Sequence, residues 1–417
     1  MRVAIIGAGI VGVTTAYELA ADGHEVTVFE RRGAVAAETS FANAGVIAPG
    51  YVTPWAAPGM PWKVTTQLFG RHAAVRFGGL STLKLVPWMW RWWRACRPAV
   101  YRRNRSAMQA LAHYSRQRLQ GLADTLSLDF EQAQGYMVLL RTARDVANAQ
   151  GGLALLKELG VAHALLEPAQ ARNVEPGLNA ETPLAAAIHL PHDGVGNCRH
   201  FAHLLKGEAQ RLGATFRFDH EVSRIVPGVR PRVESPQAGA DFDAVVVCAG
   251  VQANQVLRGL GLTLPLAPVH GYSISAPLRV FEAATVGPRS AVMDEKFKVA
   301  VSRLGQRVRV AGSAELGGPL ESMNASAIAT LYKVLNDWFP GAAQLRDVQV
   351  WKGARPMLPD GPPVLGASGA PGVWLNLGHG SSGWALSCGS ARVLADLLGG
   401  RQAGIDLAGL GLERLRR

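Results

Sequence analysis

Residues 2–30 read RVAIIGAGIVGVTTAYELAADGHEVTVFE. An apolar run, Arg2 to Ile6, leads into Gly7-Ala8-Gly9-Ile10-Val11-Gly12. A helix-like stretch follows to about Asp22. A second strand, Glu25 to Phe29, ends at Glu30. Strand, glycine turn, helix, strand and acid in that order make G-x-G-x-x-G a dinucleotide-binding signature. Gly7 permits the tight turn out of the strand. Gly9 lacks a Cβ, so a pyrophosphate can approach the main chain. Gly12 lets helix and sheet pack closely. The helix N-terminus, at Ile10 and Val11, offers N–H groups and a partial positive charge. Glu30 can accept hydrogen bonds from both ribose hydroxyls and disfavours a 2′-phosphate. A glycine-rich turn without a ligand is the plainer alternative; the strand, the spacing and the acid together weigh against it.

Working outward, 417 residues suit about two domains, each with its own core. A chain 48% hydrophobic and 18% charged is globular rather than disordered. Its net charge of +12 is compatible with nucleic acid, an anionic membrane surface or an anionic ligand. None of the usual nucleic-acid-binding modules is present, so nucleic acid ranks last. Cys96, Cys198, Cys248 and Cys388 are far apart, with no C-x-x-C and no metal spacing. They read as reduced, buried or semi-buried thiols, no metal is expected, and a cytoplasmic location follows. The signature starts at the first residues, so cleavage of a signal peptide would destroy it. No run of about 20 uncharged apolar residues is seen, and no membrane span is expected.

Glu38 to Gly45, ETSFANAG, is too small and polar for a core strand. Such a loop suits a plain surface turn, and beside a cofactor it can hydrogen-bond a ring or phosphates. Pro49 to Pro61 is rich in Pro, Gly and aromatics and reads as the crossing into a second domain. Pro87 to Arg105 sets Trp88, Trp90, Trp92 and Trp93 among Arg91, Arg94, Arg97, Arg102, Arg103 and Arg105. Trp and Arg together suit a membrane interface. A half-buried helix packing its tryptophans on the core explains them equally, and Pro98 limits any single amphipathic helix. Residues 106–126, 147–159, 198–213 and 326–338 read as helices, and 135–141 and 185–190 as strands. Residues 192–197 read as a loop, and 215–226 as paired or bulged strand. Asp243 to Gly250 is a buried strand running into a glycine, returning the chain to the parallel sheet beside the cofactor. Runs at 271–275, 291–293, 297–302 and 307–312 suggest an antiparallel sheet. Residues 373–377 are a last buried strand. Gly378-His379-Gly380-Ser381-Ser382-Gly383 then opens a final helix at 385–398.

The cofactor pattern thus returns three times, at the start, near 192–250 and at the end. An NAD enzyme more often keeps its nucleotide domain in one piece; an interrupted one with a late glycine turn fits FAD. The turn at Gly378–Gly383 puts a helix N-terminus where the flavin's pyrimidine edge would carry negative charge on reduction. His379 reads first as a turn histidine and only second as a base. The expected fold is α/β: a discontinuous Rossmann-type, glutathione-reductase-like FAD-binding domain from 1–49, 191–265 and 340–417. An α+β antiparallel-sheet substrate domain would come from 50–190 and 266–339.

Six stretches carry a resemblance: GAGIVGVTTAYEL, ETSFANAGVIAPGYVTPWAAPG, GYSISAP, AVMDEKFKVAVSR, ARPMLPDGPPVLG and LNLGHGSSGWALSCGSARVLADLL. The sequence resembles the small subunits of bacterial D-amino-acid dehydrogenases, within the D-amino-acid oxidase, glycine oxidase and sarcosine oxidase flavoproteins. The second and last stretches are the most specific. The resemblance implies oxidative deamination of a D-amino acid by hydride transfer from Cα to flavin N5. The imine hydrolyses to a 2-oxo acid and ammonia, and electrons pass to a quinone or another carrier. It implies FAD contacts at Gly7, Gly9, Ile10, Val11, Gly12, Glu30, Arg31, Ser40, Asn43, Ala44, Gly45, Val222, Ala249, Gly250, Gly378, His379, Gly380, Ser381, Ser382 and Gly383. Arg355, in Gly-x-Arg-Pro, matches the family's carboxylate-binding Arg, whose planar fork suits a carboxylate. Tyr272 would be a second polar group, with Tyr51, His270 and His379 as weaker candidates. His270 stands where such dehydrogenases have Lys, Phe297 where they have Tyr, and Asn197 where they have Asp; the first two would alter the substrate pocket. An oxidase or dehydrogenase of a secondary or cyclic amine, such as proline, hydroxyproline or sarcosine, on the same scaffold is the first alternative. A non-catalytic flavoprotein or membrane-docking subunit, touching the inner face of the membrane through Trp88–Arg105, is the second.

Overall fold

Every position of the strand Arg2–Ile6 except Arg2 is buried, because the strand lies inside a six-stranded sheet covered on both faces. The computed structural model describes residues 1–67, 72–279, 286–319 and 321–416. Parallel neighbours of the first strand are Glu25–Phe29 on one side and Ala244–Val247 on the other. Thr215–Arg217 extends the first side and Val373–Leu377 the second, both parallel; Val364–Ala367 closes that edge antiparallel. Alternation along each strand sorts the covering layers. Val3, Ile5, Val26, Val28, Ala244 and Val246 face the helices Ile10–Ala21, Cys198–Arg211 and Gly383–Leu398. Ala4, Ile6, Val245 and Val247 face a three-stranded antiparallel sheet, Arg224–Val226, Arg232–Glu234 and Gly239–Asp241, and the helix Ala253–Leu257.

A second sheet of ten strands runs in the order Gln349–Met357, Ala267–Pro277, Arg307–Gly317, Val299–Leu304, Ala291–Asp294, Ala133–Leu140, Ala186–Val195 and Val46–Ile47. Val75–Gly78 pairs beside Arg307–Gly317 and Ala164–Leu166 beside Ala186–Val195. Met137 and Leu139 point to the core under the helix Ala325–Trp338. Tyr136, Val138 and Leu140, one residue out of phase, point to a cavity shared by the two sheets.

Several expectations change here. Residues 192–195 are not loop: the strand Ala186–Val195 continues through them, held by Ala133 and Gln134 on one side and Val46 and Ile47 on the other. Residues 215–226 are not one paired strand but two short strands in different sheets. Sheet membership also cuts across the expected division. Gln349–Met357, inside 340–417, and Val46–Ile47, inside 1–49, both hydrogen-bond into the ten-stranded sheet. The Trp/Arg stretch is two helices, Val86–Ala95 and Pro98–Leu126, with Pro98 in the first turn of the second, where its missing N–H costs nothing. Trp88 is buried and Trp92 packs on Trp55, whereas Trp90 and Trp93 are more than half exposed. The packing reading thus holds for Trp88 and Trp92, while Trp90 and Trp93 face outward. Asn197, in place of the usual Asp, still caps its helix through Oδ1 and the His200 N–H at 3.2 Å. All four cysteines are buried and free. Among the described residues, no helix is long and apolar enough to cross a membrane.

Candidate active site

The glycine turn shows three different reasons for three glycines. Gly7 has φ +101°, and a Cβ there would meet the Cys248 carbonyl oxygen at 2.8 Å. A Cβ on Gly12 would lie 1.9 Å from the Gly7 carbonyl oxygen. A Cβ on Gly9 would meet only Ser40 Oγ, at an ordinary 3.6 Å. No protein atom thus demands a glycine at 9. What a side chain there would fill is a cavity of about 1980 Å³ that Gly9, Ile10 and Val11 line. Gly9 has no side chain to cap the helix it precedes, and no acid occupies the first turn. Ser40 Oγ accepts the Ile10 N–H at 3.1 Å.

Glu30 lines the same cavity. Its two oxygens accept the N–H groups of Ala8 (2.7 Å) and Arg32 (2.8 Å). Burial raises its pKa, and those two N–H groups work against the rise. Arg31 pairs with Glu38. The loop after Glu38 is fastened to the second sheet. Thr39 Oγ1 donates to the Ala354 carbonyl (2.6 Å), Ser273 Oγ to that of Ala42 (2.7 Å) and Arg309 Nη1 to that of Asn43 (3.2 Å). Asn43 Oδ1 accepts the Gly45 N–H in a side-chain turn. Ser40, Asn43, Ala44, Gly45, Val222, Ala249 and Gly250 all line the cavity. So do Gly378 to Gly383, which form a turn and a short 3-10 segment ahead of the helix Gly383–Leu398. An acceptor acid at one end, an open glycine and two helix N-termini facing one cavity are a set of groups suited to FAD.

Arg355 comes from the strand Gln349–Met357 and also lines the cavity. Its guanidinium lies flat over Gly271: a Cβ there would sit 2.4 to 2.7 Å from Cζ and both terminal nitrogens. Nη1 donates to the main-chain oxygens of Ser313 (2.8 Å) and His270 (3.4 Å). Among the described residues no acid pairs with Arg355. Burial pushes its pKa down to about 10, so it stays a cation at neutral pH. A held, half-buried guanidinium without a counter-ion is a ready carboxylate site.

The other candidates fare differently. Tyr51 lines the cavity; its hydroxyl donates to Glu295 (2.8 Å) and accepts from Lys298 (3.1 Å). Tyr272 borders the cavity, but its hydroxyl is committed to buried Glu315, which Lys352 also approaches at 3.4 Å. Its proton is thus given to Glu315 rather than to a substrate, which corrects the expectation of a second polar donor in the cavity. His270 does not line the cavity: it is buried with Nδ1 3.2 Å from the Gly317 carbonyl. Nor does Phe297, which packs in the core under Ala325–Trp338. These two departures therefore leave the cavity wall intact. His379 borders the cavity, but its Nε2 bonds Ser390 Oγ at 2.8 Å and burial pushes its pKa down to about 3. That is a neutral structural imidazole, not a base. Gly12 lies behind the wall, packed on Gly7. Sequence reasoning missed Tyr136, Glu295 and Lys298, which line the cavity around Tyr51. The stretch AVMDEKFKVAVSR carries the last two, but nothing in its spacing links them to Tyr51.

The chain is similar to known proteins along nearly its whole length. A family profile described as FAD dependent oxidoreductase matches residues 2–397. The D-amino acid dehydrogenase of Cereibacter sphaeroides is 43% identical over 418 residues, covering 99% of this chain and 95% of that one. That of Agrobacterium fabrum is 42% identical and covers 99% of both. The crystal structure of glycine oxidase from Geobacillus kaustophilus superposes with a TM-score of 0.74 at 22% identity, covering 99% of this chain and 98% of that one. At that identity the superposition speaks for the fold alone. Iminodiacetate oxidase from Chelativorans sp. BNC1 gives the same TM-score at 22% identity. The chain belongs to the family of FAD-dependent oxidoreductases.

Proposed function

We propose that this chain is a D-amino-acid dehydrogenase, carrying out oxidative deamination to a 2-oxo acid and ammonia and passing electrons to a quinone or similar carrier. The observation that carries the reading is Arg355: a buried-edge cation with no acid partner, lying over a glycine in the wall of the cofactor cavity. FAD, when bound, supplies the two-electron acceptor for the Cα–H bond. Gly9, the first turn after it, Glu30, the loop Ser40–Gly45, Val222, Ala249, Gly250 and the turn Gly378–Gly383 are the residues we assign to hold it. The segments 1–49, 191–265 and 340–417 would supply this cofactor part, less the strands that join the second sheet; 50–190 and 266–339 supply most of the substrate part.

Arg355 acts by binding and orientation. Its fork takes the substrate carboxylate, fixing where Cα lies in the cavity, and such orientation can be worth several kcal/mol. The guanidinium is itself oriented by Ser313 and His270 carbonyls, so little freedom is lost on binding. Tyr51, ordered by Glu295 and Lys298 from the turn between Ala291–Asp294 and Val299–Leu304, bounds the same cavity. The reaction needs no covalent nucleophile, and buried His379 offers none. We place the protein in the cytoplasm, in peripheral contact with the inner face of the membrane through the exposed part of Trp88–Arg105.

Arg355→Leu tests the clamp. FAD content stays normal, and KM for a D-amino acid rises about a hundredfold, the scale of a lost charged bidentate contact. Arg355→Lys recovers part of that. Unchanged kinetics in the Leu variant would mean that another group holds the carboxylate.

A further inference from the structure

The strand Arg307–Gly317 breaks its pairing where it passes Arg355. Tyr272 pairs with Gly312 and His270 with Glu315, so Gly271 alone stands opposite two residues, Ser313 and Ala314. That is a β-bulge, with the extra residue on the strand Arg307–Gly317. Ser313 has φ +59°, in the left-handed region that favours glycine. On the other side of the strand the neighbour changes at the same place: Gly312 pairs with Val299, whereas Ala314 pairs with Val75. Gly271 is also the residue over which the Arg355 guanidinium lies. Bulge, glycine and guanidinium therefore meet at one point of the cavity wall, which Gly271, Ser313 and Arg355 all line.

Ser313 meets the clamp in two ways. Its main-chain oxygen accepts Arg355 Nη1 at 2.8 Å, and the His270 carbonyl takes a second contact from the same nitrogen. Nη1 is thus spent on the main chain. Nε and Nη2, one bidentate edge of the fork, have no partner among the described residues. The Ser313 hydroxyl is the second feature. The residue is only 5% exposed, and its Oγ is buried with no hydrogen-bond partner among the described residues. Leaving a buried hydroxyl unpaired is costly and rare. Arg105, Tyr136 and Asn376 also line the cavity with an unpaired buried atom, but of the four only Ser313 bonds to Arg355. Alanine here would remove the orphan, and glycine would also remove the backbone strain. A strained residue with an unpaired donor is the signature of a ligand contact.

We propose that Ser313 is a second carboxylate-binding residue, its hydroxyl donating to the substrate carboxylate that Arg355 holds. The proposal rests on the D-amino-acid reading above and adds a contact to it. A carboxylate gripped by Nε and Nη2 still has lone pairs to fill. A hydroxyl fills one without adding charge to the site. The bulge lets one residue serve twice: its carbonyl orients the guanidinium, and its side chain meets the ligand.

The test uses the holoenzyme and two variants. Ser313→Ala and Ser313→Gly both delete Oγ and keep the carbonyl that orients Arg355; glycine suits the left-handed backbone and alanine does not. Propionate, a carboxylate without the amine, is titrated by its shift of the flavin absorbance, and D-alanine turnover gives kcat and KM. In both variants the Kd for propionate and the KM for D-alanine should rise about tenfold, the low end for a hydrogen bond to a charged group. The kcat should change by less than about twofold, as for a contact made equally in the ground and transition states. FAD content should stay native. A native Kd and KM in Ser313→Ala would overturn the contact. So would a loss in Ser313→Ala that Ser313→Gly restores, because the backbone and not the hydroxyl would then be responsible. Failure of D-alanine to bleach the native flavin would instead sink the dehydrogenase reading, and the propionate titration would still decide whether Ser313 binds a carboxylate.

Discussion

Two glycines separate what the protein needs from what its ligands need. A methyl at Gly9 meets no obstacle in the protein. Gly9→Ala should therefore leave the melting temperature of the apoprotein within about a degree, yet weaken FAD binding tenfold or more, on the order of a displaced phosphate contact. Apoprotein calorimetry and FAD titration check it; an apoprotein that unfolds early would show that packing, not the cofactor, sets the residue. Gly271→Ala is the counterpart on the substrate side. Its methyl would collide with the end of the Arg355 side chain, which can swing aside. Stability should change little, FAD should be retained, and KM should rise about tenfold or more as the guanidinium is displaced. His379 makes a negative prediction. Its pKa lies near 3, far below its ordinary 6.5, so it is neutral throughout the working range. His379→Gln should leave the pH dependence of kcat/KM unmoved; loss of an inflection near neutrality would restore it as a base. At this scale the sequence spoke unevenly. Gly9 and Glu30 were legible because local spacing fixes their place. Tyr272, His270 and Phe297 were not, because what each side chain meets is decided by elements distant in sequence: Glu315 for Tyr272, Gly317 for His270 and the helix Ala325–Trp338 for Phe297.

Elements are joined here by buried charge. Glu18, fully buried on Ile10–Ala21, receives Arg118 from the long helix Pro98–Leu126 and Arg392 from Gly383–Leu398. Arg392 also reaches Asp22 and Asp396. Arg392→Met should cost about 3 kcal/mol in denaturant unfolding, toward the low end for stripping a partner from a buried carboxylate, because Arg118 remains. A second buried acid, Asp193, sits on Ala186–Val195 and accepts the Gly50 N–H ahead of Tyr51 at 3.1 Å. Burial raises its pKa from 3.8 to about 7. The folded protein then keeps a proton that the unfolded chain has released, so stability falls as pH rises from about 4 to about 7. Asp193→Asn keeps the acceptor and removes that slope. It should gain about 1–3 kcal/mol at pH 8 and nothing at pH 4; urea unfolding at both pH values decides. The strand Gln349–Met357 was the element hardest to read. It contains Gly353, Pro356 and a buried Lys352, poor strand material. Lys352 is tolerated because it donates to the Pro319 and Ser322 carbonyls and lies near Glu315, partners that local pattern cannot reveal.

On the scale of the whole molecule, one cavity is walled by both sheets, and the loop Thr39–Asn43 ties them together through Ala354, Ser273 and Arg309. The parallel sheet was legible because a strand covered on both faces writes itself as an unbroken apolar run. The ten-stranded sheet was legible only in pieces, since its order depends on pairings between residues more than a hundred positions apart, such as Ala291 with Tyr136 and Ala314 with Val75. The Trp/Arg stretch could not be resolved from sequence because half of its rings face the core and half face out. The central claim, a flavoenzyme that clamps a D-amino acid by its carboxylate, is tested most directly by anaerobic absorbance titration of the yellow holoprotein. The titrants are matched D- and L-amino acids, with proline and sarcosine alongside. The account predicts that D-amino acids bleach the flavin and L-amino acids do not, and that Arg355→Leu moves the titration to much higher concentration. Bleaching by proline or sarcosine but not by D-amino acids would contradict the substrate while leaving the cavity and its cofactor in place.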